Sequence, residues 1–96
     1  MYSLYIKEQN KGGETMNQPK IYLYGSLRCI HCENAKKWLK DNGFNYEYMD
    51  VDKLENINTV KSYNVNVIPF ILIKYPNGTE KHFVGFKEDD LLKTLT

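Results

Sequence analysis

The chain has only two cysteines among its 96 residues, and its formal net charge at pH 7 is +1. Two cysteines are too few to staple a small secreted scaffold, a class that carries several disulfides. A structural zinc site takes four ligands, so Cys29, His31, Cys32 and His82 would all be needed. Adjacent ligands at 31 and 32 suit a tetrahedral ion poorly, which disfavours zinc. The nearly balanced charge leaves no footprint for a nucleic-acid partner. No apolar run approaches the about 18 residues that read as a membrane span, so no membrane partner is expected. What remains is one small domain, 42% apolar, able to bury a modest core.

Residues 1–19 have no sustained period. Tyr2, Leu4 and Ile6 alternate once, and a polar run with Gly12-Gly13 follows. There is no apolar h-region and no small-residue cleavage site, so this is not a secretory signal. The segment reads as a disordered N-terminal extension, and a cytoplasmic location is expected for the chain. Lys11-Gly12-Gly13-Glu14-Thr15-Met16 can be encoded by AAA GGA GGT GAA ACA ATG, a ribosome-binding sequence ahead of a start codon. Met16 is therefore expected to be the natural start, and the folded domain is expected over 20–96.

Both cysteines fall in Cys29-Ile30-His31-Cys32, between a strand-like run (Lys20 to Tyr24) and a helical one (Glu33 to Asn42). A cysteine at a helix N-terminus meets unpaired backbone N–H groups and the positive end of the helix dipole. Both favour the thiolate, the attacking species. The second cysteine, one turn on, can attack a mixed disulfide made by the first, so the pair reads as a redox dithiol. Cys32, Ala35, Trp38 and Leu39 share one face of the helix, and Trp38 is expected in the core. Asn42-Gly43 ends it.

A second strand is expected over Asn45 to Val51, and a second helix over Leu54 to Tyr63 with Leu54, Ile57 and Val60 inward. Ile68-Pro69 opens a third strand, Phe70 to Ile73. Tyr75-Pro76-Asn77-Gly78 signals a hairpin into a fourth, Thr79 to Val84. Glu88 to Leu95 closes the chain as a helix presenting Leu91, Leu92 and Leu95, with Asp89 and Asp90 suited to its dipole. The order β-α-β-α-β-β-α gives an α/β fold: a mixed four-stranded sheet with helices on both faces. Strands joined through helices are expected to pair in parallel, and the hairpin adds an antiparallel edge.

Three features in order resemble the glutaredoxin/thioredoxin family: CxxC at the top of the first helix, Ile68-Pro69 opening the third strand, and Gly85 before the last helix. The resemblance runs from Lys20 to the C-terminus and implies a thioredoxin-like fold. Ile21 to Asp52 is similar to glutaredoxins and NrdH-type redoxins, and Tyr63 to Gly85 to thioredoxins. There are departures. Ile30-His31 stands where glutaredoxins carry Pro-Tyr and thioredoxins Gly-Pro. Ser26 stands where glutaredoxins carry the Lys or Arg that helps hold glutathione, and Leu23 where thioredoxins bury an Asp.

The resemblance implies a dithiol protein-disulfide oxidoreductase and electron carrier with Cys29 as nucleophile and Cys32 as resolving thiol. His31, when protonated, would stabilise the Cys29 thiolate and raise the reduction potential; the alternative is an exposed imidazole with little effect. Arg28, Ile68, Pro69, Gly85 and Phe86 are implied to meet the substrate, with a cis bond at Pro69 and an apolar rim of Tyr24, Ile30 and Phe86. Implied partners are disulfide-containing proteins, among them a ribonucleotide reductase, with glutathione or a flavoprotein thioredoxin reductase as electron donor. A monomer with no bound cofactor or metal is expected. The alternative is a metal or iron–sulfur cluster module using the same two thiols.

Overall fold

The computed structural model describes residues 18–96. The extension expected over 1–19, apart from Gln18 and Pro19, and the start expected at Met16 lie outside the described residues. The elements are β1 (Lys20–Gly25), α1 (Ile30–Asp41), β2 (Glu47–Asp50), α2 (Leu54–Ser62), β3 (Phe70–Lys74), β4 (Glu80–Val84) and α3 (Glu88–Leu95). They build the expected α/β fold around one mixed sheet of order β2-β1-β3-β4.

Alternation along the two central strands sorts the core into two layers. Ile21 and Leu23 of β1 and Ile71 and Ile73 of β3 face Ala35 and Leu39 of α1 and Leu91 of α3. Tyr24, Phe70 and Leu72 point the other way and pack with Val60 of α2. Helices thus cover both faces. Phe70, Ile71, Leu72 and Ile73 are all buried, the continuous apolar signature of a strand covered on both sides.

One pairing differs from expectation. β1 and β2 are parallel, but β3 runs antiparallel to β1, with Tyr24 opposite Phe70 and Ile21 opposite Ile73. The register supplies the reason. Tyr24 also lies opposite Met49, so β2 ends, and β3 begins, at the same end of the sheet. A nine-residue helix and the connector after it bring the chain back to the end it left, and a strand starting there can only run down. β4 then pairs antiparallel with β3 through the Tyr75–Gly78 turn, closed by the Gly78 N–H on the Tyr75 carbonyl.

Helix ends follow local chemistry. The Gly43 N–H donates to the Lys40 carbonyl and the Phe44 N–H to the Leu39 carbonyl, the bonding of a Schellman stop. Gly43 has φ +77°, and Phe44 stacks on Trp38 at 5.9 Å. Half-buried Trp38 thus belongs to the core, as expected. In α2 the inward face differs from the expected one. Leu54 is 73% exposed, whereas Asn56 is buried because its Nδ2 donates to the Asp50 carbonyl at the end of β2. That bond, invisible to apolar periodicity, rotates Leu54 outward. In α3, Leu91 is buried, but Leu92 is exposed rather than packed.

Candidate functional site

The helix that carries the dithiol starts three residues before the expected Glu33, and the reason is Cys29 itself. Cys29 is the N-cap of α1, with extended backbone (φ −98°, ψ 111°). Its Sγ accepts the Cys32 N–H at 3.2 Å, the role a serine or aspartate oxygen plays at other helix starts. Its carbonyl accepts the Glu33 N–H, and its own N–H donates to the Ser26 carbonyl, which holds the Gly25–Arg28 loop against the helix. The Cys29 sulfur is thereby fixed over the positive end of the helix dipole.

The two thiols are free and differ in exposure: Cys29 is half-buried, Cys32 fully buried. Burial, with the neighbouring Cys29 thiol, pushes the Cys32 thiol up from 9.0 to about 12, against a smaller opposing pull from the Ser26 backbone. Of the two sulfurs, Cys29 is the one open to solvent, and the Cys32 thiol stays protonated through neutral pH.

Gly25, one residue past the strand expected over Lys20 to Tyr24, ends β1 and packs directly against Cys32. A Cβ there would lie 2.8 Å from Cys32 Sγ and 2.9 Å from its Cβ. Only glycine lets the Cys32 sulfur pack this closely against the strand end. The signal in sequence was a glycine four residues before the first cysteine. Leu23 is fully buried in the central strand.

The other residues singled out in the sequence divide. Ile68 is half-buried and Pro69 buried, and the peptide bond between them is cis. The Gly85 N–H donates to the Pro69 carbonyl at 2.8 Å, so these two segments are joined. Because Phe70 pairs with Tyr24, Pro69 stands at the end of the sheet that carries the dithiol. Arg28 and His31 are exposed beside Cys29. Phe86 is half-buried and packs edge-on against Trp38 at 6.2 Å. The expected rim needs correction. Ile30 is 66% exposed, but Tyr24 is buried against Phe70 on the α2 side because its position in β1 faces that layer. Leu27 and Val67, both exposed, extend the apolar surface instead.

Asp89 and Asp90 sit exposed in the first turn of α3, where their charge favours the helix dipole. Among the described residues no three His, Cys, Asp or Glu side chains converge to hold a metal ion. His82 packs against Tyr63 and Phe70 on the α2 face. A shallow hollow lined by Lys20, Tyr22, Asn45 and Glu47 lies where β1 and β2 begin, at the opposite end of the sheet from the thiols.

The high Cys32 value gives a pH expectation. The unfolded chain loses this proton near pH 9, while the folded chain keeps it to about 12. The folded state therefore binds more protons across that window. The stabilisation is complete below about pH 9 and drains away as pH rises toward 12. Burial of the Tyr48 phenol, and the hydrogen bond from the Tyr63 phenol to Glu80, raise both groups to about 12 and act in the same direction. Denaturant midpoints should hold between pH 8 and pH 9 and fall from there to pH 11, and Cys32→Ser should flatten that slope.

The family follows from comparison with known proteins. The glutaredoxin family model matches residues 21–74, more than half of the chain. The chain belongs to the glutaredoxin family, whose members are thiol–disulfide redox proteins. Solved structures agree on the fold. A variant of the thioredoxin-like protein BC3987 is 27% identical, with TM-score 0.67 over 79% of this chain and 99% of that one. NrdH-redoxin from Escherichia coli, described as glutaredoxin-like with a thioredoxin-like activity profile, is 20% identical, with TM-score 0.66 over 80% and 95%. Thioredoxin f from spinach chloroplast is 23% identical, with TM-score 0.64 over 82% and 74%. No curated protein sequence matches the chain.

Proposed function

We propose that this chain is a cytoplasmic dithiol oxidoreductase that passes electrons to protein disulfides. The observation that carries the reading is the asymmetry of one pair of sulfurs. Cys29 is accessible and caps a helix N-terminus, while Cys32 is sealed behind it and hydrogen-bonded to it through its backbone N–H. In the proposed cycle the Cys29 thiolate attacks one sulfur of a substrate disulfide and expels the other as a thiolate. Cys32 then attacks the Cys29 sulfur, releasing the reduced substrate and closing the Cys29–Cys32 disulfide. Arg28, and His31 when protonated, place positive charge beside the attacking sulfur. Ile68, held in place by the Gly85 N–H on the Pro69 carbonyl, offers an extended substrate its backbone edge, and Phe86 borders it.

The surface around the thiols favours a macromolecular partner. Leu27, Ile30 and Val67 are exposed apolar side chains, and Ser26 stands where glutaredoxins place a basic residue toward glutathione. A ribonucleotide reductase fits such a substrate, supported by the likeness to NrdH-redoxin. By the same reasoning a flavoprotein thioredoxin reductase is the electron donor, ahead of glutathione.

The test is a coupled reduction of insulin disulfides, with NADPH consumption followed in two arms. One arm offers thioredoxin reductase, the other glutathione with glutathione reductase. Turnover with thioredoxin reductase and little in the glutathione arm is expected. The reverse pattern would overturn the donor, and silence in both arms would overturn the function.

A further inference from the structure

The buried hydroxyl of Tyr48 has no hydrogen-bond partner among the described residues. A polar group buried in this way costs stability, and the cycle proposed above leaves it idle. Its position supplies a use. Tyr48 lies in β2, and Gly25 at the end of β1 separates it from the resolving thiol. The point 2.8 Å from Cys32 Sγ, where a Gly25 Cβ would sit, is also 3.5 Å from Tyr48 Cε1, the ring carbon next to the one bearing the hydroxyl. Absence of a side chain at Gly25 therefore opens the space between phenol and thiol.

We propose that the Tyr48 hydroxyl is the hydrogen-bond donor held for the Cys32 sulfur when Cys32 acts as the resolving thiolate. This rests on the dithiol cycle above and names a positioning residue within it. In that step Cys32 gives its proton to solvent and its thiolate attacks the Cys29 sulfur. The bond between Cys29 and the substrate sulfur breaks, and the departing thiolate takes a proton from solvent. Tyr48 keeps its own proton throughout.

The surroundings suit a donor that never ionises. Burial first, then the charges of Asp50, Cys32, Glu33 and Asp52, push the phenol up to about 12, so its O–H is intact at working pH. On the α1 side, Lys36 Nζ lies 4.2 Å from the Tyr48 ring centroid and pairs with Glu33 at 3.1 Å, pinning the ring. A buried thiolate needs such a donor, and charge-assisted hydrogen bonds are about twice as strong as neutral ones.

Tyr48→Phe removes the hydroxyl and keeps the ring. The probe is Ellman's disulfide mixed with the reduced full chain in a stopped-flow mixer. Cys29 attack releases a first thionitrobenzoate, and Cys32 attack on the mixed disulfide releases the second. In Tyr48→Phe the first phase should keep its rate, and the second should slow by about tenfold. The pH profile of the second phase should move to higher pH, because the Cys32 thiolate has lost a donor. The thermal midpoint should hold or rise, since an unpartnered buried hydroxyl is gone. A second phase within twofold of the parent, with its pH profile unmoved, would overturn the proposal. So would a lower midpoint, which would show that the hydroxyl already has a structural partner. A parent chain that never releases two equivalents would instead sink the dithiol cycle itself.

Discussion

Cys29→Ser should abolish disulfide reduction, a loss on the order of a thousandfold or more. A free cysteine is a few per cent thiolate at neutral pH and intrinsically very nucleophilic, whereas a serine hydroxyl is a weak nucleophile without an activating base. The fold should survive, because a serine oxygen is a good N-cap and can still accept the Cys32 N–H that Cys29 Sγ accepts now. Cys32→Ser should behave differently. The first attack persists, but nothing buried behind Cys29 can complete the exchange, and the protein accumulates as a mixed disulfide with its substrate. Mass spectrometry after mixing with excess Ellman's disulfide separates the cases. Cys29→Ser should carry no adduct, Cys32→Ser one stable adduct, and the parent an internal disulfide. An adduct on Cys32 in the Cys29→Ser chain would contradict the assigned order of attack.

The second large effect belongs to Gly25→Ala. The added methyl would lie 2.8 Å from Cys32 Sγ and 2.9 Å from its Cβ, closer than real side chains approach. Cys32 is fully buried in α1, so relief requires the helix start or the strand end to shift. Overpacking of this kind costs about 1–3 kcal/mol. For a domain of this size each kcal/mol lowers the thermal midpoint by roughly 4–8 °C. The dithiol should also change its reduction potential, since one of its sulfurs has moved. Gly43→Ala is the control. Gly43 has nothing within 4 Å of its added Cβ and pays only for its left-handed backbone, about 1–2 kcal/mol. It should lower the midpoint without altering the potential. Equal potentials in Gly25→Ala and the parent would show that the contact between Gly25 and Cys32 is not part of the redox site.

Much of this is legible in the sequence alone, because the informative residues are local. Cys29 and Cys32 are near neighbours in sequence, so spacing alone placed them on one helical turn. The four-residue apolar run from Phe70 announced a strand, and Asn77-Gly78 its hairpin. What could not be read depends on groups meeting across the sequence. Gly25 matters through Cys32, Tyr48 through Gly25, and Asn56 through the Asp50 carbonyl. Tyr24 looked like a rim residue because it ends a strand near the thiols. Strand alternation decides instead, and turns it toward Phe70. The direction of β3 was missed for a related reason: element order alone does not say at which end of the sheet a connector delivers the chain.

That direction has a practical corollary. β1 begins at Lys20, at the far end of the sheet from the sulfurs, and the Tyr75–Gly78 turn lies at that far end as well. A cargo joined ahead of Pro19, or an anchor to a bead or electrode introduced at that turn, would leave the reactive tip facing outward. The same layout keeps the end that carries Cys29 and Cys32 clear of anything joined at the opposite end.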